Sequence, residues 1–216
     1  MKKISHAFLL FSLFMLTSCF QTAQNHTRGV YMLLDTSGTY AEEIQKAQSI
    51  INYLLGTLQP GDTMVVARID SGSFSEKDIV AKATFDSRPS VANKQKRVFL
   101  QTIQDFASTV KGSKYTDISG GLLQGVEFLN EKGVGKKVIL IYSDLQEELP
   151  KGHVRDFPME LSGFVVVALN VTKLRGDIKD PKQYLDRIEY WRDKVESNRG
   201  EWKVINDLDR LESIFE

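Results

Sequence analysis

Asp35-Thr36-Ser37-Gly38-Thr39 follows the apolar run Val30 to Leu34 and sets a carboxylate and two hydroxyls at alternate positions. A loop leaving a strand can turn Asp35, Ser37 and Thr39 toward one point, with Gly38 permitting the tight backbone path. Two more oxygen-bearing segments stand at comparable places. Ser143-Asp144 follows the apolar run Val138 to Tyr142, and Tyr115-Thr116-Asp117 precedes a stretch of helical periodicity. Hard divalent cations take oxygen ligands, and magnesium takes six at about 2.0–2.1 Å. Taken singly, each segment also reads as ordinary punctuation: Asp35 or Ser37 as a helix N-cap, Thr116-Asp117 as another, Ser143-Asp144 as a turn. Together, Asp35, Ser37, Thr39, Thr116 and Asp144 make a cation-binding set of two carboxylates and three hydroxyls. Asp70-Ser71-Gly72-Ser73 sets its hydroxyls one and three places after the aspartate, the wrong spacing, and reads as a loop.

Short apolar runs alternate with helix-period segments from Gly29 onward, the pattern of strands and helices wound into a largely parallel sheet. Strands are predicted at Val30 to Leu34, Met64 to Ile69, Val138 to Tyr142, Phe164 to Leu169 and Lys203 to Ile205. Ile79 to Phe85 is a further strand; the connection before it is too short for a crossover helix, so it pairs antiparallel at an edge. Helices are marked by Ile44, Ala47, Ile51, Leu54 and Leu58, by Phe99, Ile103, Phe106 and Val110, and by Ile118, Leu122, Val126 and Leu129 before Gly133. Asp180-Pro181 opens another, with Leu185, Ile188, Trp191 and Val195 on one side, and Leu208 to Phe215 forms a terminal helix. The expected fold is α/β, doubly wound and Rossmann-like, with helices on both faces and one antiparallel edge strand. In such sheets ligands collect beyond the carboxyl ends of the strands, where the oxygen-bearing segments fall. Glu147 and Glu148 read as a solvated acidic turn, and Trp191 and Trp202 as packing residues.

This order and spacing resemble von Willebrand factor A domains and their metal-ion-dependent adhesion site, with its Asp-x-Ser-x-Ser loop, a Thr from a second loop and an Asp from a third. All five positions are filled, with Thr39 where serine is commoner. The resemblance extends to Thr-Asp-Ile-Ser-Gly-Gly-Leu at the third helix and Val-Ile-Leu-Ile-Tyr before Ser143-Asp144. It implies that Ser37, Thr39 and Thr116 touch a divalent metal, magnesium first with manganese or calcium as alternatives, while Asp35 and Asp144 act through water. It also implies an open coordination position filled by a Glu or Asp of a protein partner, and no catalysis. The partner is not encoded in any motif of the loops 72–77 and 146–157.

An enzymatic alternative resembles the haloacid dehalogenase phosphohydrolases, whose Asp-x-Asp-Gly-Thr loop would make Asp35 a nucleophile and Ser143 the second-motif hydroxyl. Ser37 replaces that family's acid/base aspartate, and Leu169-Asn170-Val171 stands where its paired metal-binding acids belong.

The chain has 216 residues, enough for one good core. Its 28 Lys plus Arg balance 28 Asp plus Glu, which removes the cationic footprint of a nucleic-acid binder. Three scattered histidines leave little material for a zinc site or a Ser-His-Asp triad. Lys2 and Lys3 followed by the apolar run Ala7 to Leu16 read as a signal peptide over residues 1–18. Leu16-Thr17-Ser18-Cys19 resembles the lipobox of bacterial lipoproteins, and its Cys is the chain's one cysteine. The resemblance implies a diacylated Cys19 as mature N-terminus, a membrane-anchored domain in the cell envelope and, with Phe20 after the Cys, an outer-membrane location in a Gram-negative host. Residues 19–28 then form a polar tether reaching about 30 Å, with the folded domain at 29–216.

Overall fold

The structure, a computed structural model, describes residues 25–37, 43–70, 72, 74–155 and 158–215. The first apolar run becomes β1 (Arg28–Asp35), buried on both faces near the centre of a six-stranded sheet. With β2 (Thr63–Ile69), β3 (Ile79–Thr84), β4 (Lys136–Tyr142), β5 (Phe164–Leu169) and β6 (Glu201–Ile205), the order is β3-β2-β1-β4-β5-β6. Every neighbouring pair is parallel except β2 with β3, which is antiparallel at the edge as expected.

Alternation along β1 feeds two cores. Val30, Met32 and Leu34 pack beneath α1 (Ile44–Thr57), α2 (Pro89–Thr109) and the C-terminal segment. Tyr31 and Leu33 pack beneath α3 (Ile118–Lys132) and α5 (Pro181–Ser197). Helix α3 rides unusually close to the sheet, because a Cβ added to Gly121 would stand 2.7 Å from a Leu33 methyl. It ends as its sequence indicates, at Gly133 in the left-handed region with φ of 62°. Leu34 pairs with Tyr142, so β1 and β4 release Asp35 and Ser143 side by side at their carboxyl ends. Chain order jumps from β1 to β2 on one flank and returns at β4 on the other, the switch point where α/β sheets open a ligand crevice.

Several boundaries differ from expectation. Helix α2 starts at Pro89, ten positions before Phe99, because its first half is polar and buries only Ala92. Leu185 is 60% exposed; Tyr184 takes the inward place beside Ile188, Trp191 and Val195, one helical step round. The terminal helix is 3-10 rather than α over Leu208–Ile214. A short helix, α4 (Arg175–Lys179), and a 3-10 turn at Glu76–Asp78 have no apolar periodicity to announce them. Arg28 belongs to β1, and residues 25–27 are tied to the loop after α3: Asn25 Nδ2 donates to Gly133 O at 2.6 Å, and the Gly135 and Lys136 amides donate to Thr27 O.

Candidate metal centre

Asp35 ends β1 at 1% exposure, with both carboxylate oxygens engaged. Ser143 Oγ donates to Oδ2 at 2.6 Å, and the Ser37 amide donates to Oδ1 at 2.8 Å. Burial raises the Asp35 pKa above its ordinary value, against the lowering effect of those hydrogen bonds. Asp144 leaves the end of β4, 9% exposed, and burial pushes its carboxyl to about 6. The Gln146 amide and Arg187 oppose that rise, while the charges of Asp35 and Glu148 add to it.

Backbone pairing brings the three loops together. Ser37 bridges to Ser113, whose amide donates to Thr36 O at 2.8 Å and whose hydroxyl donates to Asp70 Oδ1 at 2.6 Å. Thr116 and Glu148 exchange amide-to-carbonyl bonds of 2.8 and 3.0 Å, locking the second loop to the third. As a result Ser37, Thr116 and Asp144 line one cavity of about 360 Å³, with Ser113, Lys114, Gln146, Glu148 and Leu174. Asp35 stands behind this lining, linked to it through Ser37 and to β4 through Ser143. Thr39 and Cys19 lie outside the described residues.

The donor set fits a hard cation. Among the described residues no three His, Cys, Asp or Glu converge as a metal-holding group, so a cation here would rest on hydroxyl oxygens backed by two carboxylates. Two carboxylates of raised pKa are buried here, and Arg187, whose charge partly offsets that of Asp144, is committed to Asp177 through two hydrogen bonds of 2.8–2.9 Å. The enclosure of Asp35 speaks against a nucleophilic role, which needs a carboxylate oxygen free to approach phosphorus.

Other polar residues of the site gain partners in three dimensions, Asp117 among them in the helix-cap role that the sequence indicates. Asp117 caps α3 through the Gly120 amide at 2.8 Å and is fully buried against Arg155, whose Nη2 lies 2.6 Å from Oδ2. Glu147 is no solvated turn residue: its carboxylate accepts from the Ser119 amide at 2.6 Å and the Ser119 hydroxyl at 3.1 Å. Glu148 is exposed, as expected, and reaches the cavity rim. Trp191 is core, and in Asp70-Ser71-Gly72-Ser73, of which Ser71 and Ser73 lie outside the described residues, Asp70 serves the second loop by accepting from Ser113 Oγ and, at its carbonyl, from the Asp117 amide at 3.3 Å.

Solved structures share this architecture. The chain superposes on a von Willebrand factor type A protein from Catenulispora acidiphila with a TM-score of 0.55 at 12% identity, over 88% of this chain and 41% of that one. The pilus adhesin SpaC from Lactobacillus rhamnosus GG gives 0.53 at 13% identity, over 88% and 29%. In sequence, human inter-alpha-trypsin inhibitor heavy chain H1 is 29% identical over 112 residues, 51% of this chain and 11% of the relative. The hamster protein, from Mesocricetus auratus, is 26% identical over 108 residues, 50% of this chain and 10% of its own length. This chain therefore spans about a tenth of the length of the curated relatives it matches. No protein-family model matches the sequence. The fold is that of a von Willebrand factor A domain: a mostly parallel six-stranded sheet with one antiparallel edge and helices on both faces.

Proposed function

We propose that this chain is a membrane-anchored lipoprotein of the bacterial cell envelope whose domain binds a divalent cation and, through it, an acidic group of a protein partner. The observation that carries the reading is the convergence of Ser37, Thr116 and Asp144, from three separate loops, on one cavity in front of the buried Asp35. Ser37 and Thr116 would hold the cation by their hydroxyls, joined by Thr39, while Asp35 and Asp144 would act through water. Magnesium suits this oxygen set first, with manganese or calcium as alternatives. Two carboxylates alone leave such a cation electrophilic, so the group it recruits is a partner's Glu or Asp. Lys114 at the rim favours the same anionic group. A pilus adhesin built on the same fold agrees with a protein-binding role.

Cys19 carries the proposed anchor. With Asn25 fastened to the domain, the six residues from Cys19 to Gln24 would hold it within about 20 Å of the lipid surface. Among the described residues no helix is long and apolar enough to cross a membrane. Phe20 favours the outer membrane in a Gram-negative host, and the balanced charge argues against nucleic acid as a partner.

Calorimetric titration of magnesium and manganese into wild type and Thr116→Ala, followed by capture from envelope extract with and without EDTA, tests the reading. Wild type should bind the cation, the variant should bind it weakly, and the captured partner should be lost on chelation. A folded wild type that takes up neither cation would defeat the proposal.

A further inference from the structure

Leu145, the residue after Asp144, is buried and holds φ at 67°, a left-handed backbone rarely adopted by a side chain of its size. Its surroundings explain how that conformation is kept. The Leu145 amide donates to Ser143 Oγ at 3.0 Å, and helix α5 takes the next two carbonyls. Arg187 Nε donates to Asp144 O at 3.2 Å, and Trp191 Nε1 donates to Leu145 O at 3.0 Å. Arg187 and Trp191 are four residues apart, so they stand one above the other on a single helix face and grip consecutive peptides.

Both donors are themselves fixed. Arg187 donates through Nη1 and Nη2 to the two oxygens of Asp177, at 2.9 and 2.8 Å, in a pair whose side chains are 16% and 1% exposed. Asp177 also accepts from the Leu174 amide at 2.7 Å, and Leu174 lines the metal cavity. Trp191 is immobilised by the core, at 1% exposure. A planar guanidinium with two oxygens behind it and a buried indole have little freedom to follow a moving loop.

We propose that Arg187 and Trp191 are positioning residues for the metal centre: by gripping the carbonyls of residues 144 and 145 they hold Leu145 left-handed and fix the direction in which the Asp144 carboxylate enters the cavity. Without the grip, residue 145 relaxes toward ordinary backbone angles and the Asp144 side chain turns with its peptide. The inference rests on the reading of Asp144 as a cation-binding group.

The test compares the full chain in detergent with Trp191→Phe, which keeps a ring but removes the donor, and Arg187→Lys, which keeps the charge but removes the fork. Val195→Ala, buried on the same helix and with no hydrogen-bond donor in its side chain, controls for lost core volume. Two readouts are needed: manganese affinity by calorimetry and the Leu145 Cα chemical shift, which reports its backbone angles. Each of the first two variants should bind manganese about tenfold more weakly, at the lower end of what removal of outer-shell partners of metal ligands brings. Each should also move the Leu145 shift away from its left-handed value. Val195→Ala should melt earlier with affinity and shift unchanged. Folded Trp191→Phe and Arg187→Lys that retain wild-type affinity, or lose it with an unmoved Leu145 shift, overturn the proposal. Should one of them fail to fold, the other carries the comparison. If wild type itself takes up no manganese, the metal reading fails on its own account, and the Leu145 shift still decides whether α5 holds the loop.

Discussion

Ser143 Oγ and the Asp35 carboxylate meet at 2.6 Å across 108 positions of sequence, joining the ends of the two central strands inside a buried layer. The bond fixes one oxygen of Asp35 while the Ser37 amide fixes the other, so the first loop and the end of β4 share a single anion. Ser143→Ala removes the donor and leaves that anion poorly satisfied in a dry place. Unfolding in urea should show a loss of about 1.5–3 kcal/mol, the range for a hydrogen bond to a charged group. A loss below about 0.5 kcal/mol would mean that water takes the serine's place.

Acidity gives a second expectation, in which sign matters. The folded state holds the Asp144 proton up to about pH 6, above the ordinary aspartate value. Asp144 therefore contributes stability that is fully present below about pH 4 and is lost as pH rises through about 6. At about 1.4 kcal/mol per pH unit between the two values, the effect is bounded at about 3 kcal/mol. Asp35 is shifted in the same direction. In EDTA, wild type should lose stability between pH 4.5 and 7.5 relative to Asp144→Asn, which does not titrate there. Magnesium should reverse the trend, because a cation binds the deprotonated form and stabilises by mass action. Parallel pH profiles of Tm for the two proteins would contradict this.

Much of the fold was legible because it is written in local pattern. β5 matches its expected span of Phe164 to Leu169, and Gly133 ends α3 in the left-handed turn that its residue type favours. Of the five residues read as a cation-binding set, Ser37, Thr116 and Asp144 line one cavity from separate loops, Asp35 stands behind it, and Thr39 lies outside the described residues. What sequence left hidden depends on partners far along the chain. Glu147 looked like a solvated acid because its partner, Ser119, is 28 positions away. Arg187 and Trp191 carried an ordinary amphipathic signal, and nothing in Leu145 announces a positive φ, since glycine is the residue that usually marks one. Leu185 misled for a different reason: Tyr184 occupies its expected face, and periodicity alone cannot choose between adjacent apolar residues.

Anchoring is testable without reference to the cavity. Cys19 is the one thiol in the chain, so no other side chain can receive a diacylglyceryl group. Labelled palmitate should enter the wild-type protein in a bacterial host and be absent after Cys19→Ala, which should also appear in the soluble fraction. Equal labelling of both proteins would rule out the lipoprotein reading and leave the metal centre untouched.

The pairing of Arg155 with Asp117 sets the last expectation. Asp117 is fully buried, caps α3 through Gly120 and follows Thr116 directly, while Arg155 arrives from the third loop with its side chain 18% exposed. Removing one member of such a pair strands a charge, whereas removing both does not. Arg155→Leu should therefore destabilise the fold by about 3 kcal/mol, toward the lower end for a buried pair because water reaches the arginine side. The double change Arg155→Leu with Asp117→Asn keeps a cap acceptor for Gly120 and removes the stranded charge. It should recover a substantial part of the loss. Chemical denaturation of the two single variants and the double variant closes the cycle, with a coupling of at least about 1 kcal/mol expected for residues in direct contact. Magnesium titration of the same proteins adds a functional reading. Because only the single variant leaves the Asp117 charge buried without Arg155 beside Thr116, it should bind the cation more weakly than the double. Strict additivity would mean that the third loop does not support the second through this pair, and that the Thr116–Glu148 backbone bridge holds the loops together unaided.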